Sequence, residues 1–218
     1  PWLSNNRGSL DVQSGELPLQ DNGAPTGSFD ATGALLRFSG GTQTLSAATS
    51  VTGTAVEFTN GTITVGGTYD VTGSTTMAFG TVTFSPTSTV TSVGAHSLGN
   101  GTLTFNSGET IAPSTLSFTN GTLTGSDSIN VPGLFTWGGG TMSGTGTTTA
   151  NGGIAFTTAF GKTLTRTLIN PAGQTALFSG TGGFVINNPG AMDNSGTFEH
   201  QTDAGVSGAG SFRNAGAF

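Results

Sequence analysis

Cysteine is absent from the 218-residue chain, which excludes disulfide staples and thiolate metal sites. Charge is scarce: Asp, Glu, Lys and Arg make up 7% of the residues, and the formal net charge is -6. The five basic residues, Arg7, Arg37, Lys162, Arg166 and Arg213, form no cluster. Without a cationic stripe to track phosphates, no nucleic-acid partner is expected. The sequence holds no run of about 18 apolar residues, so no bilayer-spanning helix is expected. Pro1-Trp2-Leu3-Ser4 lacks the basic region and apolar core of a secretory signal. Helical spacing of apolar positions is missing throughout. What remains is rich in Thr, Ser, Asn and glycine, with 38 glycines. Such a mix signals disorder unless its apolar residues fall in register.

They do. A phrase returns about every twenty residues: an apolar ring or Leu, a short glycine turn, then Gly-Thr-apolar-Thr. It reads Phe58-Thr59-Asn60-Gly61-Thr62-Ile63-Thr64, then Leu98-Gly99-Asn100-Gly101-Thr102-Leu103-Thr104, then Phe118-Thr119-Asn120-Gly121-Thr122-Leu123-Thr124. A fixed period of this size marks a solenoid, whose coils hide their apolar faces only against neighbouring coils. Large side chains at Phe38, Phe58, Phe79, Leu98, Phe118, Trp137, Phe156, Phe178, Phe198 and Phe218 form the expected inner ladder. A partner two residues earlier, at Leu36, Val56, Met77, Leu116, Phe135 and Ile154, gives the alternation of a strand, with Arg37, Glu57 and Thr136 outward between them. Asn60-Gly61, Asn100-Gly101 and Asn120-Gly121 supply left-handed turn positions. A second strand follows each turn, with Ile63, Val82 and Leu103 inward. A third, less regular one carries Val71, Val90, Ile111 and Val131.

Three strands and three turns per period predict an all-β, single-stranded parallel β-helix, right-handed, of roughly eleven coils of about 20 residues. Stacked at about 4.8 Å, they make a rod on the order of 50 Å long. The even period predicts one continuous β-solenoid over 1–218, a segment of a longer repeat protein. Uncapped terminal rungs would leave strand edges open, and point to neighbouring sequence or to end-to-end contact with another copy.

Gly121-Thr122-Leu123-Thr124-Gly125, the stretch from Phe135-Thr136-Trp137 through Gly138-Gly139-Gly140-Thr141-Met142-Ser143-Gly144, and Asn194-Ser195-Gly196-Thr197-Phe198 resemble repeats of large bacterial extracellular β-solenoid proteins, akin to autotransporter passengers and filamentous adhesins. The resemblance covers most of the chain and is one of period and composition. It implies an extracellular or cell-surface rod serving adhesion, spacing or matrix assembly. Its implied partners are surface glycans or further copies of the chain, joined end to end or laterally. It carries across no catalytic, cofactor or metal residue.

One array stands out as a candidate binding face: Thr42, Thr44, Thr62, Thr64, Thr81, Thr83, Thr102, Thr104, Thr122, Thr124, Thr141 and Ser143. Outward hydroxyl pairs about 7 Å apart along a strand and about 4.8 Å apart between rungs resemble the Thr-x-Thr lattices of ice-binding solenoids. Thr also simply suits an exposed strand. Ser143 and a turn shortened before Gly80 are expected to blur the lattice.

Other features carry less. Asn60, Asn100 and Asn120 fit the N-glycosylation pattern, but turn and strand chemistry already ask for those residues. Neither Gly138-Gly139-Gly140 nor Gly182-Gly183 has the strand and helix of a phosphate loop, and the calcium nonapeptide pattern is missing, leaving Asp127, Asp193 and Asp203 as isolated turn carboxylates. For catalysis the best constellations are Glu199-His200 with Asp203, and Lys162 with Arg166. Glu57, Asp70, Glu109 and Asp127 fall at different places in the coil. His96 and His200 are too far apart to imply a metal, and His96 reads as a turn-flanking residue. Tyr69 and Trp2 read as exposed rings able to stack on sugars. The expected function is a non-catalytic structural or adhesive rod. A carbohydrate-active or carbohydrate-binding module is the alternative, and an ice-binding solenoid the third reading.

Overall fold

The computed structural model describes residues 5–218; Trp2 lies outside them. Among the described residues every regular element is a strand and every strand pairing is parallel. The chain winds about ten turns of a β-solenoid, successive turns lying about 20 residues apart. Fewer turns fit than an even division of the length suggests, because the late coils are longer. Phe156, Phe178 and His200, which lie in register, are spaced more widely than Phe118, Trp137 and Phe156.

Each turn has three faces. A ring face contains Leu116–Phe118, Phe135–Trp137, Ile154–Phe156 and Thr175–Phe178; a threonine face contains Thr81–Phe84, Thr102–Phe105, Thr122–Gly125 and Gly140–Met142. The third face contains Thr89–Ser92, then Ile129–Val131, Thr147–Ala150, Thr167–Asn170, Ala191–Asn194 and Ser211–Asn214. In the first coils the strands run on round the corners, so that Ser28–Leu45 and Ser50–Val65 each visit all three faces. The third face is interrupted near Ile111, which makes only a single bridge, to Ile129. There the carboxylate of Glu109 accepts the amide of Val90 at 2.6 Å, standing in for the missing strand.

The apolar columns follow the predicted alternation, with three corrections. The ring ladder runs Leu19, Phe38, Phe58, Met77, Leu98, Phe118, Trp137, Phe156, Phe178 and His200. Met77, not Phe79, fills the fourth rung; Phe79 is 57% exposed. The partner position beside Met77 is Thr75, whose hydroxyl meets that of buried Tyr69 at 2.9 Å. Phe198 registers with Ala176 and so belongs to the partner column, while Phe218 is exposed. Successive rings stack along the ladder, Phe38 on Phe58 at 5.1 Å and Phe118 on Trp137 at 5.8 Å between centroids, a geometry that adds to the burial of their area. Ile63, Val82 and Leu103 are inward on the threonine face, as are Val71, Val90, Ile111 and Val131 on the third.

Glycine recurs where the ring face turns into the threonine face, until Lys162 and Phe184 take its place on later rungs. Gly61, Gly80, Gly101, Gly121 and Gly140 all have positive φ, and a Cβ on Gly101 would come 2.3 Å from the carbonyl oxygen of Gly80 on the rung before. The repeated Asn-Gly of the sequence is the local expression of this stacking. At the C-terminal end of the third face an inner amide ladder replaces apolar packing: Asn170 donates to Asn194 and Asn194 to Asn214, each at 2.6 Å.

Candidate functional site: the threonine face

Alternation decides the chemistry of the second face. Apart from buried Gln43, the inward residues between the hydroxyls are apolar. Register then stacks the hydroxyls: Thr42, Thr62, Thr81, Thr102, Thr122, Thr141 and Thr163 lie on seven successive rungs. A parallel column holds Thr44, Thr64, Thr83, Thr104 and Thr124, extended by Ser143 and Thr165, whose amides bond to Leu123 and Met142. Most of these side chains are half-buried by their neighbours, and those of the first rungs are exposed. The expected break at Gly80 does not occur. The turn looked short only because Phe79 stood in for Met77, and from Met77 to Thr81 the spacing equals that from Phe58 to Thr62. Thr163 and Thr165 extend the array beyond the residues singled out from sequence. Their phrase, Gly161-Lys162-Thr163-Leu164-Thr165, is the repeat with a lysine inserted, which hid it. Val185 ends the hydroxyl column.

Most charged candidates are tied into the structure. Lys162 is fully buried in the column of the corner glycines, between Gly140 and Phe184. Its Nζ donates to the carbonyl of Phe160 at 3.0 Å and lies 5.9 Å from the centre of the Phe178 ring. Burial pushes its pKa down. Arg166, at the far corner of the same rung, donates to the carbonyls of Gly146 and Asp127, both at 2.8 Å. Desolvation lowers its pKa to about 10 against the pull of Asp127. It therefore ties three rungs at a corner. The carboxylate of Asp127 takes the amide and hydroxyl of Ser107, each at 2.6 Å, and the amide of Gly108 at 2.9 Å. Glu57 pairs with Arg37, which also reaches Glu16, and Asp193 pairs with Arg213. Glu199 and His200 are adjacent on one strand and so point to opposite sides of it. His200 shares its Nε2 with the carbonyl of Ala204 at 2.8 Å. Among the described residues no group of three or more His, Asp or Glu side chains could hold a metal ion. No helix there is long and apolar enough to cross a membrane.

Two sequence readings are corrected. Tyr69 is fully buried, and burial raises its pKa, so it offers no sugar platform. His96 is not turn-flanking. It sits in the partner column between Thr75 and Leu116, 3% exposed, with its ring 6.0 Å from that of Phe105. Both its ring nitrogens are buried with no hydrogen-bond partner among the described residues, and desolvation lowers its pKa to about 4.

The structure also shows what sequence reasoning missed. Phe79 and Phe160 are large exposed rings on the corner beside the threonine face. An open groove of about 470 Å³ lies across the opposite corner of the ring face, lined by Leu134, Gly152, Gly153, Ala155 and Leu177 among others. None of its lining side chains titrates. Comparison with known protein families, curated proteins and solved structures finds no match.

Proposed function

We propose that the chain is a non-catalytic segment of a structural or adhesive rod from a bacterial cell-surface or secreted repeat protein. The observation that carries this reading is the unbroken run of hydroxyls over seven rungs of one face. A face of identical weak donors and acceptors gains affinity through repetition rather than through one strong contact. The backbone ladders bear load along the axis, and the stacked rings resist sliding of one rung over the next. The low content of charge and the wealth of Thr, Ser and Asn suit an exposed extracellular surface. Surface glycans and further copies of the chain are the partners that fit.

Electron microscopy of the native material, with an antibody against this segment, tests the reading. Label along a fibre or across the cell surface is the expected result, and label confined to the cytosol overturns it. The continuity of the lattice past Gly80 favours ice binding as the second reading. Thermal hysteresis that is present in the wild type and lost in Thr104→Lys would replace the rod by an ice binder.

A further inference from the structure

The corner between the ring face and the threonine face carries a column of stacked positions that includes Asn60, Phe79, Asn100, Asn120, Gly139 and Phe160. The first five each lie two residues beyond their ladder residue. Phe160 joins them by stacking, since a Cβ on Gly139 would come 2.6 Å from the Cβ of Phe160. Phe79 is 57% and Phe160 62% exposed, although most phenylalanines here are buried in the core. Their ladder positions, Met77 and Phe156, are four rungs apart, or about 19 Å along the axis.

Phe160 is held out by construction. It stands in a corner longer than those of the rungs before it, after Thr158, whose φ of 62° makes it the one non-glycine in the left-handed region among the described residues. A β-branched residue rarely adopts such a conformation, so the corner around it must hold it there. The Thr158 hydroxyl donates to the carbonyl of Gly138 and accepts the amide of Phe160, while buried Lys162 donates to the Phe160 carbonyl. Between the rings the column is polar: Asn120 Nδ2 donates to Asn100 Oδ1 at 3.0 Å, and Thr102 and Thr122 lie beside them on the threonine face. From the Phe79 rung to the Phe160 rung the only charged side chain of this corner is Lys162, and it is turned inward; Asp21 lies on the same corner nearer the N-terminus, outside the strip.

We propose that this column is a binding strip for a neutral, extended polysaccharide chain lying along the solenoid axis. Phe79 and Phe160 stack on sugar rings at its two ends. The Asn100 and Asn120 amides, with the hydroxyls of Thr102 and Thr122, bond the sugar hydroxyls between them. Sugars present an apolar ring face and a polar rim, which is what alternates along the strip. A protein partner would instead ask for clustered apolar anchors, and an acidic glycan for cations. The proposal does not depend on the rod reading, and it narrows the surface glycans named there to neutral, extended chains.

Affinity electrophoresis through hydroxyethyl cellulose, xylan and glycol chitin, with polygalacturonate as the anionic comparison, tests it. The wild type is expected to be retarded by at least one neutral polymer and not by polygalacturonate. Phe79→Ser and Phe160→Ser should each weaken retention about tenfold, equivalent to about 1.4 kcal/mol. The double variant should abolish retention with the melting temperature unchanged, since both rings are exposed. Thr91→Lys, exposed on the third face, should retain binding; equal loss there would show the retention to be unspecific and overturn the proposal. Absence of retention on all three neutral polymers overturns the proposal, as does equal retention by the double variant or retention by polygalacturonate alone. A wild-type dimer that sedimentation shows to vanish in the double variant would assign the rings to a second copy and overturn it too.

Discussion

Lowering the pH from 7.5 to 5.0 should take about 2 kcal/mol from the stack through one side chain, His96. Its imidazole lies between Thr75 and Leu116 and against Phe105, with both nitrogens unpartnered among the described residues, so the folded state resists charging it. Folded, its pKa is lowered to about 4 from the ordinary 6.5. The unfolded chain thus takes up the proton first as the pH falls. His96 imposes no penalty above about pH 6.5. The penalty grows as the pH drops from there and levels off below about pH 4, at about 3 kcal/mol. The assay is urea unfolding followed by far-UV circular dichroism at both pH values, for the wild type and for His96→Met. The carboxylates titrate equally in both proteins, so the difference between their pH dependences isolates the histidine. Because a solenoid is stabilised rung by rung, amide exchange should also quicken first around Thr75, His96 and Leu116 at pH 5.0. If His96→Met loses as much stability on acidification as the wild type, the buried neutral imidazole is refuted.

Two further outcomes follow from the columns. Phe118→Asp places a carboxylate in a fully buried ring position and should cost at least about 4 kcal/mol, whereas Thr122→Ala on the outer face should stay within about 0.5 kcal/mol; thermal melts that show equal tolerance would reverse the inward and outward assignments. Asn194→Leu keeps the branched outline but removes the middle of the amide ladder, which bonds Asn170, Asn214 and the carbonyl of Gly196. It should cost about 2–3 kcal/mol in a denaturation curve, and a neutral result would show the ladder to be dispensable.

The ladder shows where sequence reading succeeds and where it slips. Phe79 and Met77 are both apolar and both near the expected distance from Phe58, so spacing from one neighbour does not choose between them. The constant offset from ladder residue to Gly-Thr-apolar-Thr does choose, because Met77 stands as far from Thr81 as Phe118 from Thr122. At Phe198 no such phrase follows, and the register with Ala176 is visible only in space. His96 went unrecognised for a related reason: its column mates Thr75 and Leu116 share no chemistry with it. The exposed strip was hidden because Phe79 looked like core and Phe160 falls in a corner of irregular length.

Period, strand alternation and corner glycines are properties of neighbouring residues along the chain, so the sequence by itself determined the parallel solenoid, its inner and outer sides and the threonine face. Which polar groups are buried, and which rings are left out, depends on what lies one rung above and below. Only stacking decided that Lys162 and Arg166 are tied to carbonyls within the corners, that Tyr69 is core, and that Phe79 and Phe160 share one edge. The physical reason is that each coil makes its decisive contacts with residues about twenty positions away, where a difference of two or three residues in a corner changes which side chain meets which.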